Sequence, residues 1–337
     1  MDVRHSPEQV ALGDSVRRVV ERLGPASVGQ LDDGERAAKL DAAVGDAGWR
    51  ELRNPVDATG APWASAVEVA IVAEALARGR ADAAFLGPVL AADLRRLAGV
   101  PDALGPETVA LAAGLAALAV VGDDAVALDA FGEGSALLLV PAPDGWSLGA
   151  VPVAGRGDGV DLTRPTAPVP VGAARGVEGA GVLGPTELDR WTALALAVTA
   201  ADLVGTMAGA VALAVDHAAQ RHQFSRAIGS FQAVQHLLAD AVVHTEGSRS
   251  AALHAAWAVD ALPPAEALAA AARAKAYAAR AARTVCETAI QVHGGIGNTW
   301  DCLAHVHLRR ALLSTDILGG VGPNLARVLA HAGVGGG

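Results

Sequence analysis

From residue 184 to about residue 332 the chain is alanine-rich and helical in its periodicity, and only two polar islands interrupt the pattern. Apolar positions recur at the spacing of buried helix faces, which predicts helices over about 186–220, 230–261, 265–292, 301–314 and 322–332. Gly229, Pro263-Pro264, Gly294-Gly295 and Gly319-Gly320 separate them. Thr186 is read as the N-cap of the first helix, with Asp189 three residues on approximating a capping box. At 1.5 Å per residue that helix would be roughly 50 Å long, the length found in an extended bundle. Hydrophobic residues make up 52% of the chain and aromatics only 3%. The core must therefore be built from small aliphatic side chains, which suits closely approaching helices.

Residues 6 to about 100 also read as helices, opened by the cap and first-turn proline of Ser6-Pro7-Glu8 and broken by the loop WRELRNPVDATGAPW. Between about 105 and 180 the texture changes to short Val/Ala/Leu stretches separated by GDD, FGEGS, PAPDG and GRGDG, turn signals at hairpin spacing. The expected fold class is α+β. An N-terminal helical domain (1–104) is followed by a small, shortened middle β-domain (105–183) and a C-terminal four-helix bundle (184–337).

The formal net charge of −10 argues against a nucleic-acid or anionic-membrane partner, both of which need a sustained basic surface. The N-terminus reads as an amphipathic helix and not as a signal peptide, and the Ala/Leu/Val runs at 110–120 and 191–200 read as too short or too interrupted for membrane insertion. Cys286 and Cys302 are the only cysteines, so a reducing cytoplasm is the expected location. No metal site is expected: His305 and His307 lie two apart on a helix and do not share a face, while His236, His244 and His254 point different ways around theirs.

The first polar island is RHQFSRAIGSFQAVQH, residues 221–236. It falls at a corner between two helices, where Arg221 and Arg226 offer guanidinium donors to an anion, Gln223 and Gln232 offer amides, and Phe224 and Phe231 offer flat apolar faces. Phosphate plus aromatic ring describes a dinucleotide. The plainer alternative is a solvated turn whose phenylalanines plug the bundle end. The second island, AIQVHGGIGNTWD at 289–301, ends a helix at His293 with paired glycines that let a ligand approach the backbone. The helix expected after Trp300-Asp301 would add N-terminal amides for a phosphate. An ordinary glycine C-cap is the alternative there.

On RHQFSRAIGSFQAVQHLLAD (221–240) and AIQVHGGIGNTWDCLAHVHLRRA (289–311) the chain resembles acyl-CoA dehydrogenases, flavoproteins that oxidise an acyl-CoA across Cα and Cβ. GWRELRNP (48–55), AIVAEALARG (70–79) and VDLTRPTAPVPV (160–171) extend the resemblance over most of the chain, though less specifically. It implies that Arg221, Gln223, Phe224, Phe231 and Gln232, with Gln291, Gly294 and Gly295, contact the pyrophosphate and adenosine half of an FAD held mainly by a neighbouring subunit. It also implies an acyl-CoA substrate and electron-transferring flavoprotein as acceptor. Ser225 stands where a glycine is usual and Asn298 where a tyrosine is common.

The chain departs from the family at the chemistry. A carboxylate base is needed for the α-proton while the flavin accepts a hydride from Cβ. Leu318-Gly319 occupies its usual place and Leu194-Ala195-Leu196 the alternative one. Glu246 and Asp316 are the leading substitutes, with Asp240 behind them. Their plainer roles are a helix ion pair with Arg249 for Glu246, and a loop cap or a pair with Arg309 or Arg310 for Asp316. ALAAGLAALAVVGDD also replaces the segment that covers the flavin ring in the family, with almost no hydrogen-bonding side chains. The expected function is a subunit that helps introduce a Cα=Cβ bond into a bulky CoA thioester, a steroid side chain being one candidate. The resemblance points to actinobacterial heterotetrameric steroid-CoA dehydrogenases, in which two different subunits share fewer flavins than chains. A homo-oligomer, a catalytically silent partner subunit and a cofactor-free scaffold remain the alternatives.

Overall fold

The computed structural model describes residues 4–57 and 59–334. Four helices come first: α1 (Pro7–Leu23), α2 (Gly34–Asp46), α3 (Ala66–Arg78) and α4 (Leu86–Ala98). The cap expected at Ser6 is a full capping box, in which Ser6 Oγ accepts from Gln9 N at 3.3 Å and Gln9 Oε1 accepts from Ser6 N at 3.0 Å.

A six-stranded sheet follows, made of β1 (Glu107–Ala112), β2 (Asp124–Ala127), β3 (Glu133–Ala142), β4 (Gly145–Ala154), β5 (Ala167–Pro170) and β6 (Arg175–Gly176). Its order is β5-β2-β1-β3-β4-β6, with β1 and β3 parallel and the other neighbours antiparallel. Side chains alternate along β3: Leu137 and Leu139 join the main core, while Ala136 and Leu138 join a second core with Ala110, Val151 and Val153. One face of the sheet is thereby committed to the helices.

The C-terminal region contains α5 (Pro185–Gln220), the short hairpin β7 (His222–Gln223) and β8 (Arg226–Ala227), then α6 (Gln232–Ala261), α7 (Pro264–His293), α8 (Ala304–Asp316) and α9 (Val321–His331). The start of α5 corrects the expected cap. Gly184 is the N-cap, Pro185 takes the first helical position, and Glu187 rather than Asp189 reaches back to accept from Gly184 N at 3.0 Å. α5 is the bundle's axis, with every residue from Ala193 to Met207 buried. By length and composition it is long and apolar enough to cross a membrane, a correction to the interrupted run expected at 191–200, and 72% of its most apolar window is buried within the protein.

A buried charge network ties the three regions together. Asp202 on α5 accepts from Arg310 Nη2 and Ser314 Oγ on α8, each at 2.6 Å, while Arg310 Nη1 reaches Thr163 Oγ1 at 2.8 Å and Ala81 O at 3.1 Å. Arg164 Nε donates to Asp161 at 3.1 Å and its Nη1 lies 3.6 Å from Asp202. Burial opposes ionisation of Asp202, but the adjacent Arg164 and Arg310 hold its carboxyl below the usual carboxylate range.

Candidate functional site

The two polar islands lie at the same end of the bundle. His217, in the last turn of α5, stacks on His293, the last residue of α7, with ring centroids 4.4 Å apart and planes 25° apart. Burial, then the neighbouring His293 and Arg221, push the His217 pKa down, which favours a neutral ring in the stack. His293 Nδ1 lies 2.7 Å from Ala289 O; a carbonyl only accepts, so Nδ1 carries the proton. This pair joins segments 76 positions apart, and no periodicity in the sequence announces it.

Between α5 and α6 the corner is a tight hairpin followed by a single 3-10 turn at Ile228–Ser230. Gly229 packs against α5: a Cβ there would stand 3.1 Å from Ala218 O. Arg221, Gln223, Phe224 and Gln232 are exposed, Phe224 at 88%. Phe231 is half-buried, with Phe224 edge-on at 6.2 Å and the Arg226 guanidinium 4.0 Å above its ring. At the other island, Gln291, Gly294 and Gly295 are exposed where α7 ends. Gly294 takes φ +66°, and a Cβ on Gly297 would lie 2.6 Å from Ile290 O, so the turn folds tightly against its own helix. Trp300 follows, 61% exposed, with His305 edge-on at 5.0 Å and the Arg309 guanidinium 5.2 Å from its ring.

The segment at the usual base position is closed. Leu318 is 1% exposed with φ +57°, and its N–H donates to Leu115 O at 2.7 Å. Leu115, in the turn Ala113–Leu115 after β1, is buried in the same apolar core as Ile317, Leu318, Leu194 and Leu196. The stretch that stands in place of the flavin-covering segment and the stretch where the resemblance puts the base therefore touch each other directly.

Neither carboxylate substitute lies in this contact. Glu246 is on α6, its side chain 60% exposed and ion-paired with Arg249, which also binds Glu74 at 2.9 Å. It lines a groove of about 490 Å³ between α1, α3, α5 and α6 that shares no lining residue with the Thr315–Gly320 loop. Asp316 is exposed at the end of α8. The pairing considered for it is overturned: Arg310 bonds Asp202, and Arg309 reaches Val160 O at 3.2 Å. Asp240 is exposed on α6. His305 and His307 point apart as expected, His307 lying buried with Nε2 3.0 Å from Arg80 Nη1. Among the described residues no group of three or more His, Cys, Asp or Glu is placed to hold a metal ion.

Residues 195–332 match the acyl-CoA dehydrogenase C-terminal domain. A relative, acyl-CoA dehydrogenase FadE34 of Mycobacterium tuberculosis, is 42% identical over 143 residues, which is 42% of this chain and 20% of FadE34. The chain spans less than half the length of the other curated relatives that head the comparison. Among solved structures, the ChsE4-ChsE5 complex from Mycobacterium tuberculosis is similar with a TM-score of 0.77 at 22% identity, covering 99% of this chain and 99% of that one. A variant of the Tcur3481-Tcur3483 steroid ACAD has a TM-score of 0.76 at 23% identity, covering 97% and 98%. Residues 195–332 thus carry an acyl-CoA dehydrogenase C-terminal domain, and the chain as a whole shares the fold of these structures.

Proposed function

We propose that this chain is the partner subunit of a flavin-dependent acyl-CoA dehydrogenase, lending the nucleotide-side contacts to an FAD whose ring and reacting carbons lie in a second, different chain. The observation that carries this reading is the contrast between the chain's two halves of a cofactor site. On the nucleotide side the residues fit the group: Arg221 supplies an exposed cation for a diphosphate, Gln223, Gln232 and Gln291 supply amides, Gly294 and Gly295 leave the backbone approachable, and Phe224 offers an apolar face. On the ring side they do not: Leu115 and Leu318 are joined backbone to backbone, and 110–122 contains only Ala, Leu, Val and Gly side chains. No proton-transfer step is assigned to this chain.

When bound, FAD would supply the hydride acceptor for oxidation of the acyl chain. This chain's part would be to fix the diphosphate and to keep water from the nucleotide end. The two-name complexes among its structural neighbours support a hetero-oligomer, and the steroid ACAD among them supports a bulky CoA thioester as substrate; electron-transferring flavoprotein as acceptor follows from the sequence resemblance. The test is co-expression with a second acyl-CoA dehydrogenase-like chain from the same source. Arg221→Gln is expected to lower the flavin content of the mixed complex several-fold, whereas Glu246→Gln and Asp316→Asn are expected to leave turnover within about twofold. Full flavin content in folded Arg221→Gln, or turnover abolished by either carboxylate change, would contradict the reading.

A further inference from the structure

The Thr315–Gly320 loop is held from behind by three side chains on two helices. Lys275 Nζ donates to Thr315 O at 3.1 Å, to Ile317 O, and to Gly319 O at 3.3 Å. Arg327 Nη1 donates to Leu318 O at 2.8 Å, and Asn324 Nδ2 to Gly319 O at 2.7 Å and Gly320 O at 2.9 Å. The carbonyls of Thr315, Ile317, Leu318, Gly319 and Gly320 thus all accept from α7 or α9. Carbonyls at a helix end usually turn to water or to a simple cap. Here the central donor is a fully buried lysine.

An ammonium in that position is costly. Burial pushes the Lys275 pKa down to about 7; Arg327 on α9 and Arg164 in the β4–β5 connection also lower it, and Asp316 on α8 and Asp202 on α5 raise it. A methionine would fill the same space without that cost, so packing alone does not account for the lysine. What the ammonium adds is three donors in a fixed fan. The loop they hold is strained: Leu318 at φ +57° is followed by Gly319 at +84°, and the Leu115 it meets, at φ +60°, is preceded by Gly114 at +76°. Bulky residues seldom adopt left-handed backbone unless the surroundings impose it.

We propose that Lys275 is a positioning residue, whose three carbonyl bonds hold the base-less loop in the left-handed form that seals it against Leu115. It deepens the reading of this chain as the flavin-lending partner, because it makes closure of the ring side a property of α7 and α9. In that role Lys275 acts on backbone carbonyls and touches no substrate.

Hydrogen exchange on the isolated chain at pH 6 tests it. Lys275→Met keeps the apolar stem and removes only the donors. The expected result is a loss of protection of about tenfold or more at the Leu318 amide, with the amides of Ala193–Met207 in α5 unchanged. Arg327→Met, on the more accessible α9, is expected to act in the same direction, and it decides the matter if Lys275→Met does not fold. Wild-type protection of Leu318 in the folded variant would overturn the proposal, as would a loss spread evenly over α5. The experiment contains no flavin, so its failure leaves the lending of nucleotide contacts standing, and a failure of flavin lending leaves the clamp standing.

Discussion

Phe224 and Ser225 form the two-residue loop between β7 and β8, with φ of +52° and +64°. Positive φ at both positions matches the twist of a tight hairpin, and side chains other than glycine or asparagine carry a cost there. The glycine usual at position 225 would relieve it. Ser225→Gly is expected to raise stability by about 0.5–1 kcal/mol in urea titrations while leaving the hairpin in place. Lys275 sets a pH dependence of the opposite origin. Its folded-state pKa of about 7 lies below the ordinary lysine value of 10.5, so between these limits the unfolded chain binds more protons and this residue's contribution to stability rises with pH. Comparing wild type with Lys275→Met should show that rise in the wild type only. The polar islands were legible because arginines, glutamines and phenylalanines stand out against alanine. Lys275 was not: in AAARAKAYAARAAR it looks like any solvated helix cation, and only the fold turns it inward.

Helix α5 owes its place to residues that are small. A Cβ on Gly205 would lie 2.1 Å from Glu74 O and one on Gly209 2.4 Å from Arg78 O, so α3 crosses α5 at nearly backbone contact. Gly205→Ala is expected to cost about 1–3 kcal/mol in denaturant titrations despite the higher helix propensity of alanine, because overpacking outweighs propensity at such a crossing. Helix positions in the bundle were readable from punctuation: Gly294, Pro263-Pro264 and Gly319-Gly320 each mark an end or connection in the structure. The cap of α5 was misplaced by two residues because Thr186 has the side chain of a good cap, whereas Pro185 fixes the first turn and leaves Gly184 outside it. The corner at Arg221–Gly229 read correctly as a bend, but its hairpin form depends on positive φ at two residues that seldom adopt it.

At the scale of the whole molecule, Arg310 and Asp202 join α8, α5 and the β4–β5 connection into one buried network. Arg310→Met leaves Asp202 with Arg164 and Ser314 but without the two guanidinium donors on its Oδ1, and is expected to cost about 3–5 kcal/mol, read as a lowered denaturant midpoint. That network was invisible in the sequence because its members lie in three separate segments, each with an ordinary charge pattern. That position 318 holds a leucine and not a carboxylate was legible from residue identity alone; that Leu318 bonds to Leu115 required the sheet to be seated on the bundle. The cofactor site is expected to be asymmetric, and flavin absorbance per chain measures this most directly. The chain purified alone should be colourless, and its complex with a second dehydrogenase-like chain should carry one flavin per pair. A yellow, flavin-loaded preparation of this chain by itself would contradict the account.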